Sequence, residues 1–290
     1  FSIQTTGLIA ALPASYLFNK PLVSRSGYDV FAFSRNSKFF VKGFILRALE
    51  ILASFTASAF IFATQEDLDS FSRRTKYVAL LKNKIFSRKV STFILPNWVD
   101  TYNFAPASGY INRSLDITKI NFLSIGRLES QKNYLSLISL LASISYNCSL
   151  TIVGLGSELN ALKKFSKNLS FDLTLLGKID HNLLPELINK YDIYIQNSLI
   201  EGNPKSVLEA MSCGAIVVCR DSPGISQLID SNRNGYLYNS ENFYNVISTI
   251  ISSKKINMIK ANARQFIINN YDYITYIKSL NKILKSSISY

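Results

Sequence analysis

The chain has 290 residues, 48% of them hydrophobic and 18% charged, with a net charge of +13. That length exceeds one ordinary domain core and suffices for two, and the composition excludes a disordered chain. The charge is spread evenly, 14 basic and 7 acidic side chains over residues 1–118 (+7) and 18 and 12 over residues 119–290 (+6), with no basic tract, which argues against a dedicated nucleic-acid reader.

The chain opens on Phe1 with no basic region ahead of an apolar stretch, so no signal peptide is read, and its natural start is expected upstream. Residues 8–18 are apolar but hold Pro13 and are too short to span a membrane. Residues 20–23 and 59–63 read as strands, and residues 37–54 as a helix. In that helix Lys38, Lys42 and Arg47 accompany Phe39, Phe40, Phe44, Ile45 and Leu49. Such a face can lie on an anionic membrane or pack on a sheet, and packing is the preferred reading. The apolar run 51–63 stops at thirteen residues, the length of a buried core element. Residues 93–95 form a strand leading into Pro96-Asn97-Trp98-Val99-Asp100, and residues 103–116, with Pro106, Ser108 and Gly109, read as an interdomain linker.

From there short apolar runs alternate with amphipathic stretches, the pattern of a parallel α/β sheet. Strands are expected at residues 120–125, 149–153, 172–176, 193–196, 215–219 and 235–238. Helices are expected at residues 133–145, 157–168, 183–189, 204–212, 226–230, 241–252, 257–269 and 271–286. Such alternation implies right-handed crossovers and a doubly wound sheet, with ligands at the carboxyl ends of its strands. Cys148, Cys213 and Cys219 are odd in number, lack CxxC spacing and sit in apolar surroundings, which favours reduced thiols in a cytoplasmic protein. His181 is the only histidine, which disfavours a histidine metal site or a catalytic triad. It reads as a helix-entry residue.

The segment Glu201-Gly202-Asn203-Pro204-Lys205-Ser206-Val207-Leu208-Glu209 carries the most chemistry. Two carboxylates eight residues apart flank a turn that opens a helix, and proline in the first helical turn loses no hydrogen bond. The helix start offers free N–H groups and a partial positive charge, suited to a phosphate. Glu201 before the helix and Glu209 about two turns inside it can reach different parts of one extended ligand.

In this setting the chain resembles the family 4-like (group 1) glycosyltransferases of GT-B fold, with its N-terminus cut short. The resemblance runs in order through Ile125-Gly126-Arg127-Leu128 with Gln131-Lys132, Val153-Gly154-Leu155-Gly156, Leu176-Gly177-Lys178-Ile179, Leu184-Pro185-Glu186-Leu187 and the segment from Glu201 to Gly214. It continues through Ser222-Pro223-Gly224-Ile225 and Asn234-Gly235-Tyr236-Leu237, while Pro96–Asp100 matches a Pro-Asn-Gly-Val-Asp segment. It implies two Rossmann-like doubly wound domains, the first incomplete. Their expected bounds are 1–104 for the acceptor-side domain, 105–116 for the linker, 117–270 for the donor-binding domain, and 271–290 for a helix returning to the first. Arg127 and Lys132 would grip the donor diphosphate and, with Glu201, carry the catalysis. Glu201 would hold sugar hydroxyls, Glu209 the ribose, and Lys178 and Ile179 the base. Gly126, Gly202, Asn203, Pro204, Lys205, Ser206 and Val207 would complete the donor site. On the acceptor side Arg25, Gly27 and Asp29 fall where the family carries a His-Gly pair, with Ser26 in the histidine's place, and Gln227 replaces a common acid.

The implied reaction moves a sugar from a nucleoside-diphosphate sugar to a saccharide or lipid-linked acceptor in cell-surface polysaccharide or lipopolysaccharide assembly. Retention of configuration, no metal and no cofactor are expected, in the cytoplasm or peripherally at an anionic membrane face. The alternatives are a sugar-nucleotide epimerase on the same fold and a non-catalytic donor-binding fragment.

Overall fold

The computed structural model describes residues 2–3, 7–26, 40–85, 90–166 and 169–288. The chain forms two compact units, one of residues 1–97 with 274–290 and the other of residues 98–273. In the first, strands β1 (Ser2–Ile3), β2 (Val23–Ser26), β3 (Ala59–Phe62) and β4 (Ser91–Ile94) form a parallel sheet in that order. Helices α1 (Leu8–Leu17), α2 (Phe40–Thr56) and α3 (Gln65–Ile85) connect them. Every side chain of β3 is buried, which is what a strand covered on both faces requires. Phe60 and Phe62 point to one side, with Leu8, Leu22, Ala53 and Phe71. Ala59 and Ile61 point to the other, with Val23, Leu95 and Ile283 of the C-terminal helix. The apolar face of α2 packs inward through Leu46 and Ala53, while Ile45 and Leu52 face solvent.

The second unit has six parallel strands, β5 (Ile120–Ile125), β6 (Cys148–Val153), β7 (Asp172–Gly177), β8 (Ile193–Gln196), β9 (Ile216–Arg220) and β10 (Tyr236–Tyr238). Their order is β10-β9-β8-β5-β6-β7, so the winding reverses between β5 and β8. Side-chain alternation splits the core into two layers. Ile120, Phe122, Ile193, Ile195, Ile216 and Val218 fill one, and Leu123, Ile125, Tyr194, Val217 and Cys219 the other. Helices α4 (Tyr134–Ala142), α5 (Leu159–Phe165), α6 (Leu184–Ile188), α7 (Lys205–Ser212), α8 (Phe243–Ser252) and α9 (Ile256–Tyr271) complete the unit. Helix α10 (Tyr273–Ile288) lies almost wholly in the first unit, against β2 and β3.

The division between units falls earlier than the linker pattern suggests. Val99 and Phe104 are buried in the second unit's core, and the Tyr110 hydroxyl donates to the Tyr191 carbonyl at 2.8 Å. Residues 98–116 therefore pack as part of the second unit, although their sequence has no apolar period. The expected helix at 226–230 is absent. A run of turns spans residues 223–228 instead, because Gly224 at φ 79° bends the chain where Ile225 and Ser226 both donate to the Ser222 carbonyl.

Candidate donor site

Two loops meet beyond the carboxyl ends of β5 and β8, at the point where strand order reverses. This is where open α/β sheets bind their ligands. The first runs from Gly126 to Lys132. A Cβ at Gly126 would sit 3.0 Å from Lys132 Cε and 3.1 Å from the Tyr134 hydroxyl, so glycine leaves the space that the lysine stem occupies. A single 3₁₀ turn, Ser130–Lys132, ends at Asn133 in the left-handed conformation and starts α4. Arg127 is exposed at the tip.

The second loop runs from β8 into α7. Lys132 Nζ meets Glu201 Oε1 at 2.6 Å, with side-chain exposures of only 11% and 10%. Gln196, buried at the end of β8, joins the parts of this loop. Its Nε2 donates to Glu201 Oε1 at 3.0 Å, and its Oε1 accepts from the Tyr194 hydroxyl at 2.9 Å and from Ser206 Oγ at 3.2 Å. The turn is held from behind by Gly224: a Cβ there would lie 2.1 Å from the Glu201 carbonyl oxygen, and φ is 79°. Pro204 caps α7, and its carbonyl accepts from Val207 and Leu208. The amides of Lys205 and Ser206 lie in the first turn, where N–H groups have no intrahelical acceptor.

Glu209 is 3% exposed on α7. Burial raises its pKa, opposed by hydrogen bonding and charge from His181 and by Lys205. His181 Nε2 is 2.7 Å from Glu209 Oε1, and Lys205 Nζ is 3.8 Å from the same oxygen. Lys205 also lies over the Trp98 ring at 4.8 Å.

The structure brings Gly126, Lys132, Glu201 and Ser206 together, with Lys205 at the start of the same helix and Glu209 in its second turn. Gly202 is half-buried and Asn203 buried, and Asn203 bonds Tyr271. Lys178 is exposed and Ile179 half-buried at the end of β7. Val207 differs from its expected place among the ligand contacts: its side chain is fully buried in the apolar layer and its N–H is spent on Pro204. In the first unit, Arg25 Nη2 donates to Asn97 Oδ1 at 3.1 Å and the guanidinium lies 5.9 Å from the Tyr276 ring, which ties it within its own unit. Gly27 and Asp29 lie outside the described residues. Sequence reading passed over Gln196 and gave His181 no role in the site. The signal for Gln196 was a polar residue closing a four-residue apolar strand at its carboxyl end.

A doubly wound parallel sheet with a carboxylate–lysine pair and a helix start at its switch point, joined in one chain to a second parallel α/β unit, is the architecture of the GT-B fold. The chain belongs to the family described as glycosyl transferases group 1, whose profile matches residues 112–266, and it is a glycosyltransferase. It is 27% identical over 294 residues to the UDP-Gal:alpha-D-GlcNAc-diphosphoundecaprenol alpha-1,3-galactosyltransferase of Escherichia coli, covering 96% of this chain and 72% of that protein. An uncharacterized glycosyltransferase of Methanocaldococcus jannaschii is 26% identical over 230 residues, which are 70% of this chain and 58% of that protein. The Anabaena protein HepE, solved in complex with UDP and glucose, superposes with a TM-score of 0.79 at 20% identity over 99% of this chain and 78% of that one.

Proposed function

We propose that this glycosyltransferase moves a sugar from a nucleoside-diphosphate sugar to a saccharide or lipid-linked acceptor in cell-surface polysaccharide or lipopolysaccharide assembly, with retention and without a metal. The observation that carries the reading is the convergence of Lys132, Glu201 and the start of α7 at the switch point. As the bond between sugar and diphosphate breaks, negative charge grows on the leaving phosphate. Lys132, Arg127 and the first amides of α7 form a preorganised positive region that is worth more as that charge develops. Glu201, fixed by Lys132 and Gln196, serves the sugar hydroxyls, and Glu209 the ribose. The E. coli relative is named for a UDP-galactose donor and a lipid diphosphate acceptor, which supports the same classes here. Ile45 and Leu52, exposed on α2, fit a cytoplasmic enzyme that meets such acceptors at a membrane face.

The test is transfer from UDP-hexoses, with and without acceptor, alongside nucleotide titration. Losing one charge-assisted hydrogen bond costs about 1.5–3 kcal/mol, so Arg127→Ala and Lys132→Ala should each weaken nucleoside-diphosphate binding at least several-fold. Unchanged affinity in both variants removes the assignment.

A further inference from the structure

We infer that His181 is a positioning residue of the donor site, holding the Glu209 carboxylate in the orientation that receives a ribose diol. The inference rests on the reading of Glu209 given above. The two residues come from different elements, His181 from the 3₁₀ turn His181–Leu183 after β7 and Glu209 from the second turn of α7. They meet at 2.7 Å, although one is almost wholly buried and the imidazole is more than half exposed. A helix-entry residue has no need of such a contact.

The imidazole is backed by the Phe104 ring, 5.0 Å away at 50°. Phe104 is fixed in turn, because its carbonyl accepts from Ser212 Oγ and from Arg264 Nη1, each at 2.6 Å. A line of anchored contacts therefore runs from the core to Nε2. A terminal carboxylate torsion is broad when nothing fixes it, and a buried carboxyl that takes up a proton loses acceptor capacity. The histidine opposes both. Its contact and that of Lys205 fall on the same oxygen, Oε1. The other oxygen, with its own lone pairs, is the acceptor a vicinal diol would use. The ligand class is a nucleoside diphosphate bearing both ribose hydroxyls.

Calorimetric titration of the full chain with UDP, ADP and GDP identifies the tightest ligand, and its 2′,3′-dideoxy form is the comparison. His181→Phe should weaken the ribose form at least fivefold and leave the dideoxy form within twofold, while His181→Gln, whose amide can donate from the Nε2 position, should recover most of the loss. Equal losses for both forms, or none, overturn the proposal. Because the chain has one histidine, the imidazole NMR signal of the tag-free wild type gives a second readout that needs no variant. It should move on saturation with the ribose form, and a signal that stays put also overturns the proposal. Wild-type-like binding by Glu209→Ala, or no binding of any diphosphate by the wild type, fails the reading of Glu209 first and this inference with it.

Discussion

Glu209 sits where burial opposes its charge, and His181 and Lys205 pull the other way. The balance leaves its pKa above the ordinary 4.5. A carboxyl raised in the folded state favours folding when protonated. It opposes folding once the pH passes above the folded value, and that cost fades as the pH falls below the unfolded one. Glu209→Gln should therefore raise stability at pH 7, and the gain should shrink towards pH 4, while nucleoside-diphosphate affinity drops. Urea unfolding at the two pH values measures it. A variant less stable than wild type at pH 7 would show that the partners outweigh burial. The same residue shows what was legible at this scale. The spacing of Glu201 and Glu209 around a Gly-Asn-Pro turn could be read directly, because it is local. The pairing of Glu209 with His181, 28 residues earlier, could not, because it depends on how the end of β7 comes to lie beside α7.

At the scale of elements, the second sheet was readable nearly residue by residue, since central parallel strands are short apolar runs closed by turn residues. For the strand Ile193–Gln196 the sequence pattern and the structure agree at both ends. Helix α3 escaped, although its start carries a Thr-x-x-Asp signal. Thr64 Oγ1 accepts from the Asp67 amide at 3.1 Å and donates to Asp67 Oδ2 at 2.8 Å. Its polar, lysine-rich run has too weak an apolar period to announce itself. Residues 98–116 misled for the opposite reason, since their order comes from side chains elsewhere. Arg264 of α9 donates to the carbonyls of Thr101, Phe104 and Ser212 at 2.6–2.8 Å. Lys260 donates to the Tyr110 carbonyl at 2.7 Å. Removing the guanidinium takes a donor from three carbonyls, leaving Phe104 with Ser212 Oγ alone, and only a fork of donors serves them together. Arg264→Ala should cost about 3 kcal/mol, by the scale of buried groups left without partners, and Arg264→Lys should recover little of it. Chemical unfolding followed by Trp98 fluorescence reads both, and a loss below about 0.5 kcal/mol for Arg264→Ala would mean that water replaces the donors.

At the scale of the whole molecule, the chain crosses between its units twice, after Asn97 and after Tyr273. Each unit has its own sheet and its own core. The two loops of the proposed donor site, both carboxylates and Lys132 belong entirely to residues 98–273, while the last helix serves the other unit. There Tyr276, Leu280, Ile283 and Leu284 cover Val23, Ala59, Ile61 and Leu95. Burying one large apolar side chain is worth about 1.5–3 kcal/mol. Losing four contacts, most of them only partly buried, removes on the order of 5 kcal/mol, as much as the whole stability of a marginal domain. Deleting residues 274–290 should therefore unfold or strongly destabilise the first unit and leave nucleotide binding by the second within about twofold. Scanning calorimetry distinguishes the two, because a ligand that binds only the folded state raises the melting temperature of the unit that binds it. In the intact chain the nucleoside diphosphate that binds tightest should raise one transition and leave the other in place. In the shortened chain the ligand-insensitive transition should fall or vanish, and the ligand-sensitive one should persist with its shift intact. Loss of that shift on deletion would mean that the second unit depends on the first for its fold, and that its separate core is not sufficient.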